Sequence, residues 1–132
     1  MKNKRVQIIM NPQTLLKNIF GYDEFRPLQK EIIERTLIGK DSLVLMPTGG
    51  GKSICFQIPA LCFDGITIVV SPLISLMKDQ VQTLQSNGIK ADFYNSSISS
   101  QEQKEIIHRA INEETQLLYL SPEKLISVSN TW

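Results

Sequence analysis

Apolar residues follow two different spacings along the chain, and the two spacings alternate. Leu28, Ile32, Ile33 and Leu37 recur at the interval that places side chains on one face of a helix. The run at residues 66–70 is instead continuous and rich in β-branched residues, which is typical of a strand buried in a parallel sheet. The pattern therefore predicts helices and strands in turn.

The same spacings place the other elements. Helices are expected at residues 12–20 (with Gly21 at the end), 27–37, after the glycine segment to about 61, 72–86, from 99 onward, and from 122 to about 126. Strands are expected at residues 42–45, 66–70, 91–94 and 117–120. Strands that alternate with helices imply an α/β fold with a mostly parallel sheet, and a nucleotide then belongs at the carboxyl ends of the strands.

Two of the predicted helices have a defined inward face. In the helix at 72–86 the inward residues are expected to be Leu73, Leu76, Met77, Val81 and Leu84. The helix after Ser99 is predicted to open with a capping box, Ser99-x-x-Glu102, because this pairing satisfies two free N–H groups of a first turn. Its inward residues are expected to be Ile106, Ile107, Ala110 and Ile111.

Composition limits the classes of protein that fit. The chain has 132 residues, enough for one domain with a core, and its 42% hydrophobic and 20% charged residues are ordinary for a soluble globular protein. The net charge of +1 argues neither for nor against a nucleic-acid partner, so any DNA contact has to come from local groups. No apolar run approaches the length of a membrane span, so no membrane contact is expected. Cys55 and Cys62 would lie about 10 Å apart on one helix, too far for a disulfide, which favours reduced thiols and a cytoplasmic location.

The segment Met46-Pro47-Thr48-Gly49-Gly50-Gly51-Lys52-Ser53 carries the clearest chemistry. It lies between a predicted strand and a predicted helix, the order that a phosphate-binding loop requires. Glycines let successive backbone N–H groups face one anion, Lys52 can reach the β- and γ-phosphates, and Ser53 can offer its hydroxyl to Mg²⁺. The first position is Met46 rather than the usual Gly, and the alternative is a glycine-rich turn that happens to contain Lys-Ser.

Upstream, the segment at residues 20–29 contains side chains suited to a nucleotide base. Gln29 has a donor and an acceptor that fit the edge of adenine, and Tyr22 or Arg26 can stack on the ring. The alternative is that all three are surface or packing residues of the predicted helix.

Two further segments directly follow predicted strands. Ser71 and Pro72 follow the strand at 66–70, with Lys78 farther along the next helix, and Ser121, Pro122 and Glu123 follow the strand at 117–120. Ser71 can cap the helix after it, whose first-turn N–H groups can bind a phosphate, and Lys78 and Gln80 can contact a nucleic-acid backbone. The polar segment at 95–97 also follows a predicted strand. The alternative is plain helix caps, polar loops and a solvated helix face.

Together these segments resemble the RecQ family of superfamily 2 DNA helicases. Phe-Gly-Tyr-x-x-Phe-Arg-Pro-x-Gln at 20–29 resembles its motif 0, and Met-Pro-Thr-Gly-Gly-Gly-Lys-Ser at 46–53 resembles its motif I. Val-Val-Ser-Pro-Leu-Ile-Ser-Leu-Met-Lys-Asp-Gln-Val at 69–81 resembles motif Ia, and Leu-Leu-Tyr-Leu-Ser-Pro-Glu-Lys-Leu at 117–125 resembles motif Ib. The resemblance covers nearly the whole chain, in the family's order and spacing.

The resemblance implies an enzyme: an ATP-dependent, Mg²⁺-dependent helicase that unwinds DNA in the 3′-to-5′ direction during repair and recombination. It implies a P-loop NTPase (RecA-like) fold with flanking helices, here incomplete, and a second RecA-like domain as the partner in a full-length protein. The expected location is the cytoplasm (bacterial, nucleoid-associated) or the nucleus of a eukaryote.

Carried over to this chain, the family's motifs assign roles to single residues. Tyr22, Arg26 and Gln29 would hold adenine, and the loop from Met46 to Ser53 would hold the phosphates, with Lys52 catalytic and Ser53 a metal ligand. The residues expected along single-stranded or forked DNA are Ser71, Pro72, Lys78, Ser121, Pro122 and Glu123. The expected division is an N-terminal tail, helix and start of motif 0 at 1–26, and a partial ATP-binding domain at 27–132.

One family motif is missing from the sequence. No Asp-Glu-x-His segment is present to hold Mg²⁺ and position the attacking water. We therefore expect this chain alone to bind ATP without hydrolysing it efficiently or unwinding DNA, and we expect the strand at 42–45 to lack its usual partners and the stability to be marginal. The alternatives are another P-loop NTPase, such as a small-molecule kinase, or a truncated gene product without activity.

Overall fold

The computed structural model describes residues 11–47 and 51–129, with side chains as far as residue 126. The chain divides into two compact units, Met1–Asp64 and Gly65–Trp132. The division expected from the sequence, between residues 26 and 27, separates a tail from the motif-bearing region and remains a prediction. Within the described part of the chain, no helix combines the length and apolar character needed to cross a membrane.

The described residues of the first unit form three helices, α1 (Pro12–Asn18), α2 (Gln29–Leu37) and α3 (Lys52–Cys62). The Asn11 side chain caps α1 by accepting a hydrogen bond from the Thr14 N–H at 2.8 Å. Helix α2 begins at Gln29, two residues later than predicted, because Leu28 has a positive φ of 74° that interrupts the helix geometry. The core contains apolar residues from all three helices: Leu15, Leu16, Ile33, Ile54, Ile58 and Leu61.

The strand predicted at residues 42–45 is absent. Residues 41–47 form neither helix nor strand. Leu43 and Leu45 are 90% and 85% exposed, so the prediction of a strand at this position is wrong. A strand persists only where neighbouring backbone groups satisfy its N–H and C=O groups, and no described segment pairs with this one. The segment is instead attached to α2, because Arg35 donates to the Ser42 hydroxyl at 3.3 Å and to the Asp41 carbonyl at 3.2 Å.

The second unit contains a parallel sheet of β1 (Thr67–Val70), β2 (Ala91–Tyr94) and β3 (Leu117–Leu120). The order is β1-β3-β2, and Val70, Leu120 and Tyr94 share one register position. Helices α4 (Ile74–Ser86) and α5 (Ser100–Ile111) connect the strands, and α6 (Pro122–Ser129) follows β3. The parallel sheet with helical connections confirms the α/β expectation.

The two faces of this sheet differ. Leu118 and Leu120 lie on one face, where Tyr94 of β2 and Ile106 and Ala110 of α5 complete an apolar cluster. Because side chains alternate along a strand, Tyr119 lies on the opposite face, where it contacts Gln80 of α4. The face beneath α5 is therefore apolar, whereas the face beneath α4 includes buried polar groups.

Several predicted features of the second unit need correction. Strand β1 was predicted to be buried, but Ile68 and Val70 are exposed, since β1 pairs only with β3 among the described residues and α5 lies over β2. Helix α4 begins at Ile74 rather than Pro72. Leu73 precedes that helix and Leu76 flanks the buried stripe of Met77, Val81 and Leu84, so both are exposed rather than inward.

The beginning of α5 follows the sequence more closely. The Ser99 hydroxyl accepts from the Glu102 N–H at 3.1 Å, which confirms the predicted cap. Ile106 and Ala110 are buried and Ile107 is half-buried. Ile111 is exposed because it is the last residue of the helix, beyond the cluster.

Candidate functional site

The phosphate loop leads directly into helix α3. Thr48, Gly49 and Gly50 lie outside the described residues, so the structure does not test their expected role. Gly51 precedes the helix with a φ of 82°, a left-handed conformation that favours glycine. Lys52 and Ser53 occupy the first turn, Lys52 exposed and Ser53 half-buried. The first-turn N–H groups of a helix have no partner within it, so this turn presents donors, a cation and a hydroxyl to an anion.

Gln29 connects the segment before α2 with this loop. Its side chain is 2% exposed, its carbonyl oxygen accepts from the Arg26 N–H at 2.7 Å, and its Nε2 donates to the Gly51 carbonyl at 3.0 Å. A Cβ atom at Gly51 would clash with that Nε2, and the Arg26 side chain passes beside the same position. The structure thus brings Arg26, Gln29 and Gly51 together.

This contact was not foreseen from the sequence. Because the Gln29 amide has both a donor and an acceptor, the sequence predicted that it contacts adenine. In the structure, one of its N–H groups and its carbonyl oxygen are instead bonded within the protein. An amide can donate two hydrogen bonds, and the Gly51 carbonyl accepts one of those of Gln29. One sequence signal could have indicated the bond between Gln29 and Gly51. It is the presence of a Gln at the start of a helix together with a glycine that adopts a left-handed conformation.

The other expected base contacts are at the surface. Tyr22 is half-exposed, and its backbone N–H donates to the Leu16 carbonyl at 3.1 Å, which fixes the segment after α1. Arg26 is exposed beside the loop, whereas Met46 is half-buried and Pro47 exposed. Exposed Tyr and Arg side chains near a phosphate loop are suited to stacking on a base.

In the second unit, the parallel ladder continues one residue past the strands. The Ser71 N–H donates to the Leu120 carbonyl at 2.9 Å, and the Ser121 N–H donates to the Tyr94 carbonyl at 3.4 Å. The expected DNA segments that begin at Ser71 and Ser121 therefore leave the same edge of the sheet, side by side. This edge is the carboxyl end of all three strands, where ligands of α/β proteins bind.

Ser71 does not cap α4 as predicted. Its hydroxyl accepts from the Leu73 N–H at 3.1 Å, which forms a local turn two residues long, and the helix begins only at Ile74. Pro72 and Lys78 are exposed. This segment consequently presents a short turn and a lysine at the edge of the sheet, rather than a capped helix N-terminus.

Ser121 lies beneath the surface. It is 1% exposed, and its hydroxyl makes no hydrogen bond within the described residues. Its carbonyl accepts from the Lys124 and Leu125 N–H groups at 3.1 Å, so the backbone rather than the side chain starts α6. A strand at this edge would meet the exposed residues Pro122 and Glu123 first.

Two buried polar contacts at the same edge escaped the sequence analysis. The Tyr119 hydroxyl donates to Gln80 Oε1 at 2.7 Å, across 39 positions of sequence. Asn95, expected in a polar loop, is fully buried; its Oδ1 accepts from the Ser97 N–H at 2.8 Å, and its Nδ2 contacts Met77 Sδ at 3.7 Å. The bond between Asn95 and Ser97 is a local Asx turn, whereas the contacts of Asn95 with Met77 and of Tyr119 with Gln80 have no local sequence signature, because both depend on how α4 packs on the sheet.

A bidentate ion pair among the described residues lies away from this edge. Arg109 makes two contacts with Asp92, Nη2 to Oδ1 at 2.9 Å and Nε to Oδ2 at 3.1 Å, and the side-chain hydrogen bond with Asp92 raises the pKa of Arg109. The Thr115 hydroxyl also donates to Asp92, at 3.3 Å. Arg109 is the only arginine after the glycine loop, and it is held in a bidentate pair between α5 and β2.

Comparison with known proteins places these segments within one family match. The model of the DEAD/DEAH box helicase family matches residues 26–132. The ATP-dependent DNA helicase RecQ of Haemophilus influenzae is 55% identical over 125 residues, which cover 93% of this chain and 20% of that protein. The RecQ helicase of Pasteurella multocida is 56% identical over 115 residues, covering 87% of this chain and 18% of that protein.

More distant relatives show the same relation. The ATP-dependent DNA helicase Q1 of Rattus norvegicus is 48% identical over 114 residues, covering 84% of this chain and 18% of its own length. A crystal structure of a hypothetical ATP-dependent RNA helicase from Sulfolobus tokodaii matches with a TM-score of 0.71 at 18% identity, over 91% of this chain and 36% of that one. This likeness confirms the RecA-like fold. The chain spans about a fifth of the length of the curated relatives, 20% of the Haemophilus protein.

Proposed function

Because the chain belongs to the DEAD/DEAH box helicase family, we propose that it is the nucleotide-contacting and DNA-contacting part of a RecQ-type, ATP-dependent DNA helicase. The observation that carries the proposal is the bond from Gln29 Nε2 to the Gly51 carbonyl, at 3.0 Å. It joins the segment that resembles motif 0 to the phosphate loop, so the groups for base and phosphate recognition lie together in one unit.

ATP would bind with its phosphates at the first turn of α3. Lys52 would reach the β- and γ-phosphates as the catalytic cation, and the left-handed Gly51 keeps the space beside Gln29 free of a side chain. Tyr22 and Arg26 would stack on adenine, and the remaining N–H of Gln29 would bond to its edge. The residues fit a bound Mg²⁺ through the half-buried Ser53 hydroxyl, and that ion would neutralise charge on the phosphates.

DNA would lie along the carboxyl edge of the sheet in the second unit. Pro72 and Lys78 on one side, and Pro122 and Glu123 on the other, are exposed there, with Ser71 and Ser121 beneath them. The contacts would be to the sugar–phosphate backbone, which position a strand without reading its sequence. The proposed substrate is single-stranded or forked DNA, unwound 3′-to-5′ in repair and recombination together with a second RecA-like domain, in the bacterial cytoplasm or the eukaryotic nucleus.

Turnover is expected to need more than these 132 residues. Phosphoryl transfer depends on positioning the attacking water and stabilising charge, and the sequence has no Asp-Glu-x-His segment for that purpose. We therefore propose that this chain binds ATP–Mg²⁺ and contacts DNA without efficient hydrolysis. A small-molecule kinase would need arginines over the phosphates, but Arg109 is paired with Asp92.

The test is a titration of the 132-residue chain with a fluorescent ATP analogue and Mg²⁺, followed by an ATPase assay with single-stranded DNA. The expected result is saturable binding that Lys52→Ala weakens at least about tenfold, since a charge-assisted contact to phosphate is worth about 1.5–3 kcal/mol. Lys40→Ala, which removes an exposed lysine from the same unit, is the matched control and should bind like the parent chain.

Two outcomes would contradict the proposal. Absence of saturable nucleotide binding in a folded chain would support a remnant without activity. DNA-stimulated ATP hydrolysis by the chain alone would refute the argument from the missing acidic motif.

A further inference from the structure

A side-chain hydrogen bond connects the regions of the two proposed DNA segments, in addition to the backbone ladder. The Tyr119 hydroxyl donates to Gln80 Oε1 at 2.7 Å, and the two residues are 39 positions apart. Tyr119 is on the central strand β3 and is almost fully buried, while Gln80 is half-buried in the middle of α4. The bond ties the helix that follows Ser71 to the strand that ends just before Ser121.

The bond lies close to the carboxyl edge of the sheet, so it affects how the two proposed DNA segments are placed relative to each other. Ser121 lies two residues after Tyr119 and therefore on the same face of the sheet, the face that α4 covers. Ser71 is held to β3 by its N–H bond to the Leu120 carbonyl at 2.9 Å, and α4 begins three residues later. A shift of α4 along β3 would thus move the turn at 71–73 relative to the segment that begins at Ser121.

Two other polar side-chain contacts hold α4 on the sheet. Gln85 Nε2 donates to the Ala91 carbonyl at 2.8 Å, at the start of β2 and therefore away from the carboxyl edge, whereas Asn95 Nδ2 contacts Met77 Sδ, a weak acceptor, at 3.7 Å near that edge. The Ser121 hydroxyl has no hydrogen-bond partner in the described part of the chain. The buried apolar residues of α4 are Met77, Val81 and Leu84. Apolar packing is not directional, whereas a hydrogen bond is restricted in both distance and angle.

We propose that Gln80 and Tyr119 are positioning residues for DNA binding, which fix the turn at 71–73 and the segment at 121–123 at the spacing that one nucleic-acid backbone requires. Neither residue contacts the DNA. The pair acts by holding the surface residues Pro72 and Glu123 in one arrangement. This inference rests on the proposed function, since it concerns how the same DNA contact is organised.

The test uses Tyr119→Phe in the whole chain, because it removes only the hydroxyl. Tyr94→Phe is the matched control. Tyr94 is also a buried tyrosine of the sheet, but it lies on the opposite face with its ring 5.5 Å from Lys124 Nζ, and no hydrogen bond joins its hydroxyl to the described residues. Gln80→Leu removes the bond from the other side, and the double variant Gln80→Leu/Tyr119→Phe completes a cycle.

Three quantities are measured: the Kd for a fluorescein-labelled single-stranded oligonucleotide, the Kd for the ATP analogue, and amide hydrogen exchange at Ser71 and Leu73. We expect Tyr119→Phe to weaken DNA binding about three- to tenfold, the range of one intramolecular hydrogen bond. Exchange at Ser71 and Leu73 should become faster, ATP affinity should stay unchanged, and the double variant should lose no more than the weaker-binding single variant. Tyr94→Phe should match the parent chain throughout.

The outcomes separate the two proposals. A parent chain that binds no oligonucleotide contradicts the proposed DNA contact, whatever the variants do. A parent chain that binds DNA, with Tyr119→Phe binding equally well or with DNA and ATP affinity falling together, contradicts the positioning role and leaves the DNA contact standing.

Discussion

Two short apolar runs in this chain have opposite surroundings. Leu43 and Leu45, before the phosphate loop, are 90% and 85% exposed, whereas Leu117 and Leu118 in β3 are fully buried. Both runs have the composition of a buried strand. The difference is that β3 lies between two parallel strands, while the described residues offer no strand to pair with residues 42–45. A strand is therefore a property of its partners as much as of its own residues.

The two units also differ in what holds their functional segments. In the first unit, one buried side chain, Gln29, joins the segment before α2 to the phosphate loop. In the second unit, the backbone ladder of the sheet carries the Ser71 and Ser121 segments to a common edge. One substitution can remove a side-chain hydrogen bond, whereas the backbone ladder of the sheet consists of many hydrogen bonds that no single side chain provides. The first unit should accordingly be the more sensitive to a single polar change.

The largest effect is expected from the core of the sheet. Leu118→Ala should lower the free energy of unfolding by about 2–5 kcal/mol, because it removes buried methyl groups and leaves a cavity. Leu43→Ala, the same change at an exposed position, should alter it by less than about 0.5 kcal/mol. Urea unfolding followed by circular dichroism measures both. Similar losses for the two variants would mean that residues 42–45 are packed in solution, which would overturn the comparison.

The next effect concerns the link in the first unit. Gln29→Ala should cost about 1–3 kcal/mol, because it leaves the Arg26 N–H and the Gly51 carbonyl without their partner. It should also weaken binding of the ATP analogue, since Gly51 directly precedes Lys52. Gln13→Ala removes an exposed glutamine whose Nε2 bonds to the Asp23 carbonyl, and it serves as the control. Unchanged nucleotide affinity in Gln29→Ala would show that the loop holds its shape without this link.

A smaller effect is expected at the start of α5. Ser99→Ala should cost about 1 kcal/mol, because the Glu102 N–H loses the hydroxyl that caps the first turn. In the first unit the Asn11 side chain caps α1 in the same way, whereas helices α2 and α3 have no side-chain cap. Ser96→Ala, at an exposed loop position, should change stability by less than about 0.5 kcal/mol. Equal losses from both serines would argue against the cap.

The smallest effect is a pH dependence in the first unit. Burial raises the pKa of the Cys55 and Cys62 thiols, so the unfolded chain releases these protons at lower pH than the folded chain does. The thiols' contribution to stability is therefore complete below the unfolded pKa of about 8.5 and is lost as the pH rises through the folded value. Urea unfolding at neutral and alkaline pH should show this decline in the parent chain. The variant Cys55→Ala/Cys62→Ala should show less of it, and an identical decline in the two proteins would assign it to other groups.

The capped helix and β2 illustrate what local sequence specifies well. Ser99 and Glu102 lie three residues apart, and β2 occupies the predicted range at Ala91–Tyr94. Capping and turn signals act between near neighbours, so the chain carries them wherever it folds. The same holds for the position of Lys52 and Ser53 at the start of α3, which the glycine run predicts.

Local capping and turn signals do not predict contacts between residues that are far apart in the sequence. Gln29 lies 22 positions from Gly51, and Gln80 lies 39 positions from Tyr119. The amide of Gln29 could serve a base or a backbone equally well, and only packing decides which atoms it meets. The exposure of Leu73, Ile68 and Ile111 likewise depends on which element covers each face.

Residue types at fixed short spacings were enough to predict the family and the α/β class. They could not predict that Leu43 and Leu45 are exposed, that Ser121 is buried, or that Gln29 and Tyr119 each connect two of the proposed binding segments. Burial and long-range hydrogen bonds depend on partners that are brought together by folding. No local pattern specifies those partners.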